Sequence, residues 1–110
     1  MTIEDLKTFG ANTQEGLARC MNNEAFYLRM IDLALKSEHF DQLTAALEAG
    51  NLEQAFEVAH SWKGVLGNLS LTPVYEPVSE ITELLRSRTQ TDYSDLLKTI
   101  GEKWQALLSL

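Results

Sequence analysis

Apolar residues recur along this chain at intervals of three and four, the spacing that lines one face of an α-helix. Ile3, Leu6 and Phe9 share a face within the first ten residues, and Gly10 ends that segment. Thr13 reads as the cap of a second short helix carrying Leu17, Ala18 and Met21. Asn22-Asn23 breaks and recaps the chain, and the next helix presents Phe26, Tyr27, Met30, Ile31 and Ala34. From about Ser37 to Ala49, Phe40, Leu43 and Leu47 fall on one side, ahead of a stop at Gly50. Asn51 then caps a long helix whose apolar residues are Leu52, Ala55, Phe56, Ala59, Trp62, Leu66 and Leu69.

Thr72-Pro73 predicts the next start, with threonine as cap and proline at the first helical position. Pro77 leaves two options: a distorted first turn, or a regular helix that begins only there. Val78, Ile81, Leu84 and Leu85 line its face. Thr91-Asp92 opens the last helix, with Leu96, Leu97, Ile100, Trp104, Leu107 and Leu108 on one side. Alternating Val/Ile runs and Asn-Gly or Asp-Gly hairpin signals are missing. Short connections make neighbouring helices antiparallel. The pattern therefore predicts one all-α domain over residues 1–110. Its form is an antiparallel up-down four-helix bundle with one or two short N-terminal helices added.

Composition narrows the partners more than the fold. The chain has 110 residues, 45% of them apolar, and a formal net charge of −7. That charge argues against nucleic acid, which is held by clustered Lys and Arg, and against an anionic membrane surface. Cys20 is the only cysteine, so an internal disulfide or a multi-Cys zinc site is excluded and a reducing compartment fits best. Glu4 and Asp5 stand where a signal peptide needs a basic flank. A cytoplasmic protein is expected, and a monomer, because no long apolar seam remains once the bundle is assembled.

One stretch of the long helix breaks the rules of a helix interior. "AHSWKGVLGN", residues 59–68, carries two glycines, each worth roughly 1 kcal/mol of lost helix stability relative to alanine. On a wheel of about 100° per residue with His60 at zero, Lys63 lies near −60°, Gly64 near +40° and Gly67 near −20°. The apolar residues Leu52, Ala55, Ala59, Trp62 and Leu66 gather between roughly −80° and −160°, with Phe56 at the border near −40°. His60 thus points away from the core, and both glycines fall on its strip. Missing side chains there clear access to the ring, and a cation stands one turn along.

Phosphoryl transfer onto histidine needs such a set. Imidazole titrates near pH ~6.5 and is nucleophilic when neutral. The phosphoryl group in flight spreads charge over three oxygens, which a nearby lysine partly neutralises. No phosphate-binding Gly-rich loop or kinase signature accompanies it, so the phosphoryl group would come from another protein. On the residues alone, an ordinary surface histidine remains the alternative.

"AHSWKGVLGNLSL" resembles the signature of histidine-containing phosphotransfer (HPt) domains, a pattern of the form A-H-x-[LMW]-K-G-x-x-x-x-[LI]-G. Ala59, His60, Trp62, Lys63, Gly64 and Leu69 fall on it. The likeness extends to "GLARCMNNEAFYLRMI", to "FDQLTAALEAGNLEQAFEVAHSWKG" and to "LTPVYEPVSEITELL". The resemblance implies that His60 accepts a phosphoryl group through Nε2, that Lys63 stabilises it, and that Gly64 leaves room for a docked receiver domain. Gly67 stands where the family often has another small residue, and Phe56 is a candidate docking contact. The implied partner is the receiver domain of a hybrid histidine kinase or response regulator, which supplies the aspartate and Mg²⁺. The chain itself would bind no cofactor or metal and, lacking an ATP site, would be a carrier rather than an enzyme. A phosphotransfer-inactive helical adapter is the alternative. Ser70 departs from the pattern, standing where the family often has a glycine at a bend or close-packing position.

Other polar residues have plainer readings. His39, in "KSEHFDQ", is expected to be a solvated surface residue, as is Glu57. Glu80, Glu83, Asp92, Asp95 and Glu102 read as solubilising charge, and Trp62 and Trp104 as core.

Overall fold

The computed structural model describes all 110 residues and is entirely helical. Seven helices follow one another: α1 (Ile3–Phe9), α2 (Thr13–Arg19), α3 (Glu24–Leu35), α4 (His39–Glu48), α5 (Leu52–Asn68), α6 (Thr72–Arg86) and α7 (Ser94–Leu108). No helix is long and apolar enough to cross a membrane.

Local chemistry sets most of the boundaries. Thr2 and Asp5 form a reciprocal capping box on α1, and Asn12, Asn23 and Asn51 each accept a backbone N–H at the start of the next helix. Gly10 and Gly50 take left-handed φ values of 111° and 69°, as helix-ending glycines do. Three starts differ from expectation. Asn12, not Thr13, caps α2, and Thr13 is buried within it. Leu71 precedes α6, and Thr72 turns its hydroxyl back to the Ser70 carbonyl at 3.4 Å. α7 begins at Ser94, after Asp92 has accepted both the backbone N–H and the hydroxyl of that serine.

Pro77 neither delays α6 nor ends it: the helix runs from Thr72 through the proline. An interior proline removes the bond to the carbonyl four residues back and costs about 3 kcal/mol. Val74 and Val78, one turn apart around it and wholly buried, hold the segment against the core.

A single cluster of apolar side chains runs from Leu6 to Leu107. α5 packs against α4 on one side and α6 on the other, and α6 packs against α7. Side-chain pairs give the directions. Phe40 and His39, at the start of α4, meet Trp62 on α5, while Arg86 at the end of α6 covers Phe56 near the start of α5. Both pairings are antiparallel. Trp62 meets Trp104 of α7 edge-on, with ring centroids 5.3 Å apart, and both indoles are buried as expected.

The N-terminal helices brace one end of this core. Asn12 N–H donates to the Ser70 carbonyl at 3.0 Å, and Tyr27 of α3 donates its hydroxyl to the Leu69 carbonyl at 2.7 Å. Burial pushes the Tyr27 hydroxyl up to about 12, so it remains a donor. Met21 does not pack as its spacing suggested. α2 stops at Arg19, Met21 and Asn22 both take a φ of 56°, and Met21 stands 85% exposed while Cys20 is buried. Phe26 and Leu108, expected on the packed faces of their helices, are likewise exposed, at 43% and 41%.

Candidate functional site

α5 turns two faces to two environments. Ala55, Val58, Ala59, Trp62 and Leu66 are buried, whereas Glu57, His60, Ser61 and Gly64 are exposed. Three and four residues apart, His60, Lys63, Gly64 and Gly67 fall along one strip. They line an open groove with Tyr75 and Glu76 of α6, closed at its far end by Glu15, Arg19 and Ser70.

The two glycines of the strip differ. A Cβ built on Gly64 would meet nothing within 4 Å. A Cβ on Gly67 would come within 3.1 Å of the Tyr75 ring. Gly67 therefore lines the groove and also lets α6 close on α5, the packing role that its wheel angle alone did not suggest. Gly64 has no such role inside the chain.

Phe56 lies beside the groove rather than in it. Its ring stacks on the His60 imidazole one turn along, with centroids 5.5 Å apart and planes 19° from parallel. Two guanidiniums cover Phe56: Arg86 at 5.0 Å and Arg88 at 4.9 Å from the ring centroid. Arg88 is aimed by its own backbone, at φ 51°, and donates to the Leu85 carbonyl at 2.7 Å. Nothing within a turn of Phe56 in the sequence marks these arginines. The Glu83-Arg86 spacing of three was the available signal, but their place beside Phe56 follows from the α5–α6 pairing.

The far end of the groove explains Ser70. α5 ends in a Schellman turn: Leu71 N–H bonds the Leu66 carbonyl at 3.0 Å and Ser70 N–H bonds the Gly67 carbonyl at 3.1 Å. That turn requires a left-handed residue, and Ser70 supplies it with a φ of 55°. This accounts for glycine in the family pattern. Serine brings compensating bonds: its hydroxyl donates to Glu15 Oε1 at 3.0 Å and accepts from Arg19 Nη1 at 2.7 Å. Arg19 also donates to the Gly67 carbonyl at 2.9 Å, placing a cation at the negative end of α5. The Ser70 hydroxyl, and then Arg19, hold the Glu15 carboxyl below its ordinary value.

His39 stands apart from the groove and is not the solvated residue expected. It is half-buried and stacks on Trp62 at 6.1 Å, with its Nε2 3.2 Å from Ser61 Oγ. Burial pushes its pKa below 6.5.

A family model for the Hpt domain matches residues 36–110. The match covers well over half of the chain, and the protein belongs to the Hpt domain family, the phosphotransfer modules of two-component signalling. Hpt domains are phosphocarriers rather than enzymes, and they interact with receiver domains. The matched segment begins just ahead of α4 and contains all of α5, so "GLARCMNNEAFYLRMI" lies outside it. Comparison with curated proteins and with solved structures returns no match.

Proposed function

We propose that His60 is the phosphoryl acceptor of this Hpt domain and relays phosphoryl groups to and from receiver-domain aspartates. The observation that carries the reading is His60 exposed in a polar groove, with Lys63 beside it and, at Gly64, a missing side chain that nothing within the chain explains. In the forward step the P–O bond of the receiver's aspartyl phosphate breaks as a P–N bond forms at His60 Nε2. The aspartate leaves as carboxylate, and the imidazole proton stays on Nδ1. Lys63 meets charge that develops on the phosphoryl oxygens. The receiver holds Mg²⁺, and this chain binds no cofactor of its own.

Gly64 leaves space for the receiver's backbone to approach, and Phe56, stacked on His60 and covered by two guanidiniums, forms the apolar flank of the docking face. The partner is the receiver of a hybrid kinase or response regulator, met by a cytoplasmic monomer. Incubation with a phosphorylated receiver and Mg²⁺ tests this. Acid-labile, base-stable label should appear on the wild type and be lost in His60→Gln. No label from any receiver tried would favour the inactive adapter instead.

A further inference from the structure

Lys63 does not stand free in the groove. Its Nζ donates across to Glu83 Oε1 of α6 at 3.4 Å. The other oxygen of that carboxylate, Oε2, accepts from Arg86 Nε at 3.0 Å. One carboxylate therefore engages two cations of the His60 neighbourhood: Lys63 in the groove, and Arg86 over the ring that stacks on His60. Arg86 first, and Lys63 second, hold the Glu83 carboxyl below its ordinary value, so it stays ionised at neutral pH.

We infer that Glu83 is a positioning residue for phosphoryl transfer: it holds Lys63 toward α6 and competes with the phosphoryl group for that ammonium. The inference rests on the reading of His60 as acceptor. A phosphoryl group brings close to two negative charges and three acceptor oxygens, against the single charge of a carboxylate. Lys63 is suited to such an exchange, because its compact charge pivots on a four-carbon stem between alternative acceptors. The bridge it must leave is long and solvent-screened, with the Glu83 side chain 54% exposed. Unphosphorylated His60 leaves Lys63 on Glu83; phosphorylated His60 draws it away. Glu83 thereby weakens the hold of His60 on its phosphate and keeps the carrier able to give it up.

The test uses phosphoramidate as donor, so that no receiver is needed. Its P–N bond to nitrogen breaks as a P–N bond to His60 Nε2 forms, and ammonia leaves. Loss of the ³¹P phosphohistidine signal by hydrolysis is then followed in the wild type, Glu83→Gln, Lys63→Ala and the double variant. Glu83→Gln should slow the loss by roughly two- to fivefold, the range expected for freeing one exposed ion pair. Lys63→Ala should speed the loss, and the double variant should match Lys63→Ala alone. An unchanged or faster rate in Glu83→Gln would overturn the inference. So would a gain that survives in the double variant, because Glu83 would then act through its own charge and not through Lys63. Where phosphoramidate does not label His60, a phosphorylated receiver serves as donor, and failure of both donors would defeat the acceptor reading and this one together. Labelling by phosphoramidate but by no receiver would defeat only the receiver reading.

Discussion

Gly64 and Gly67 stand three residues apart on the same strip of the same helix, and the space around each is different. Beside Gly67 the Tyr75 ring occupies the place where a side chain would begin; beside Gly64 there is nothing. The cost to helix stability is equal at both, about 1 kcal/mol each. At Gly67 closer packing of α6 offsets it. At Gly64 no intramolecular contact does, and the vacancy lies next to an exposed imidazole. A residue whose cost the fold does not recover is best explained by something outside the fold, and this contrast directs attention to Gly64 as the point of approach.

The contrast breaks most sharply under Gly64→Gln. The side chain has room, so the variant should fold, yet it should slow transfer from a phosphorylated receiver by on the order of 10²-fold by misplacing the docked partner. Normal transfer rates in stopped or quenched assays would remove steric access from the account. Next in size is Ser70, at the end of the same groove. Ser70→Ala keeps the left-handed strain and loses both hydroxyl bonds, and should cost about 2 kcal/mol in denaturant unfolding. Ser70→Gly loses the bonds but relieves the strain, and should cost about 1 kcal/mol less than the alanine variant. Equal losses would mean that backbone conformation contributes little there.

Alanine sharpens the comparison of the two glycines directly. Gly64→Ala should raise stability by about 1 kcal/mol, because it adds helix propensity and meets nothing. Gly67→Ala should lower it by about 1 kcal/mol, since crowding against Tyr75 outweighs the same propensity gain. If the two variants shift stability alike, the packing role of Gly67 is wrong. The smallest effect concerns His39. Its folded pKa lies below 6.5, so the unfolded chain binds more protons between the two values. Its stabilising contribution is full above pH 6.5 and falls as pH drops toward the folded value. His39→Gln should flatten the onset of that slope in thermal melts; an unaltered slope would place the titration elsewhere.

Much of this molecule can be read from short-range signals, and the misses around the groove share one cause. The asparagine caps at Asn23 and Asn51, the left-handed stop at Gly50 and the buried stripe of α5 all follow from residues within a turn or two of one another. Threonine often caps, which is the role the sequence suggests for Thr13 and Thr72. Tertiary burial took the first, and the turn at Ser70 took the hydroxyl of the second. His60, Lys63 and Gly64 were legible because one helix carries all three, so their shared strip is a matter of spacing. Glu83 read as solubilising charge and His39 as solvated for the opposite reason. The partners that give them meaning, Lys63 and Trp62, belong to a different helix. Likewise nothing local announced that Tyr75 would fill the place beside Gly67.

The chain has two histidines, and they differ as the account requires: His60 is exposed in the groove, and His39 is half-buried against Trp62. The most direct test is to phosphorylate the protein from a Mg²⁺-loaded receiver and locate the label by ³¹P NMR and mass spectrometry at alkaline pH. The account predicts a single phosphoramidate on Nε2 of His60. Label on His39, on Nδ1 of His60, or on no histidine at all would contradict it.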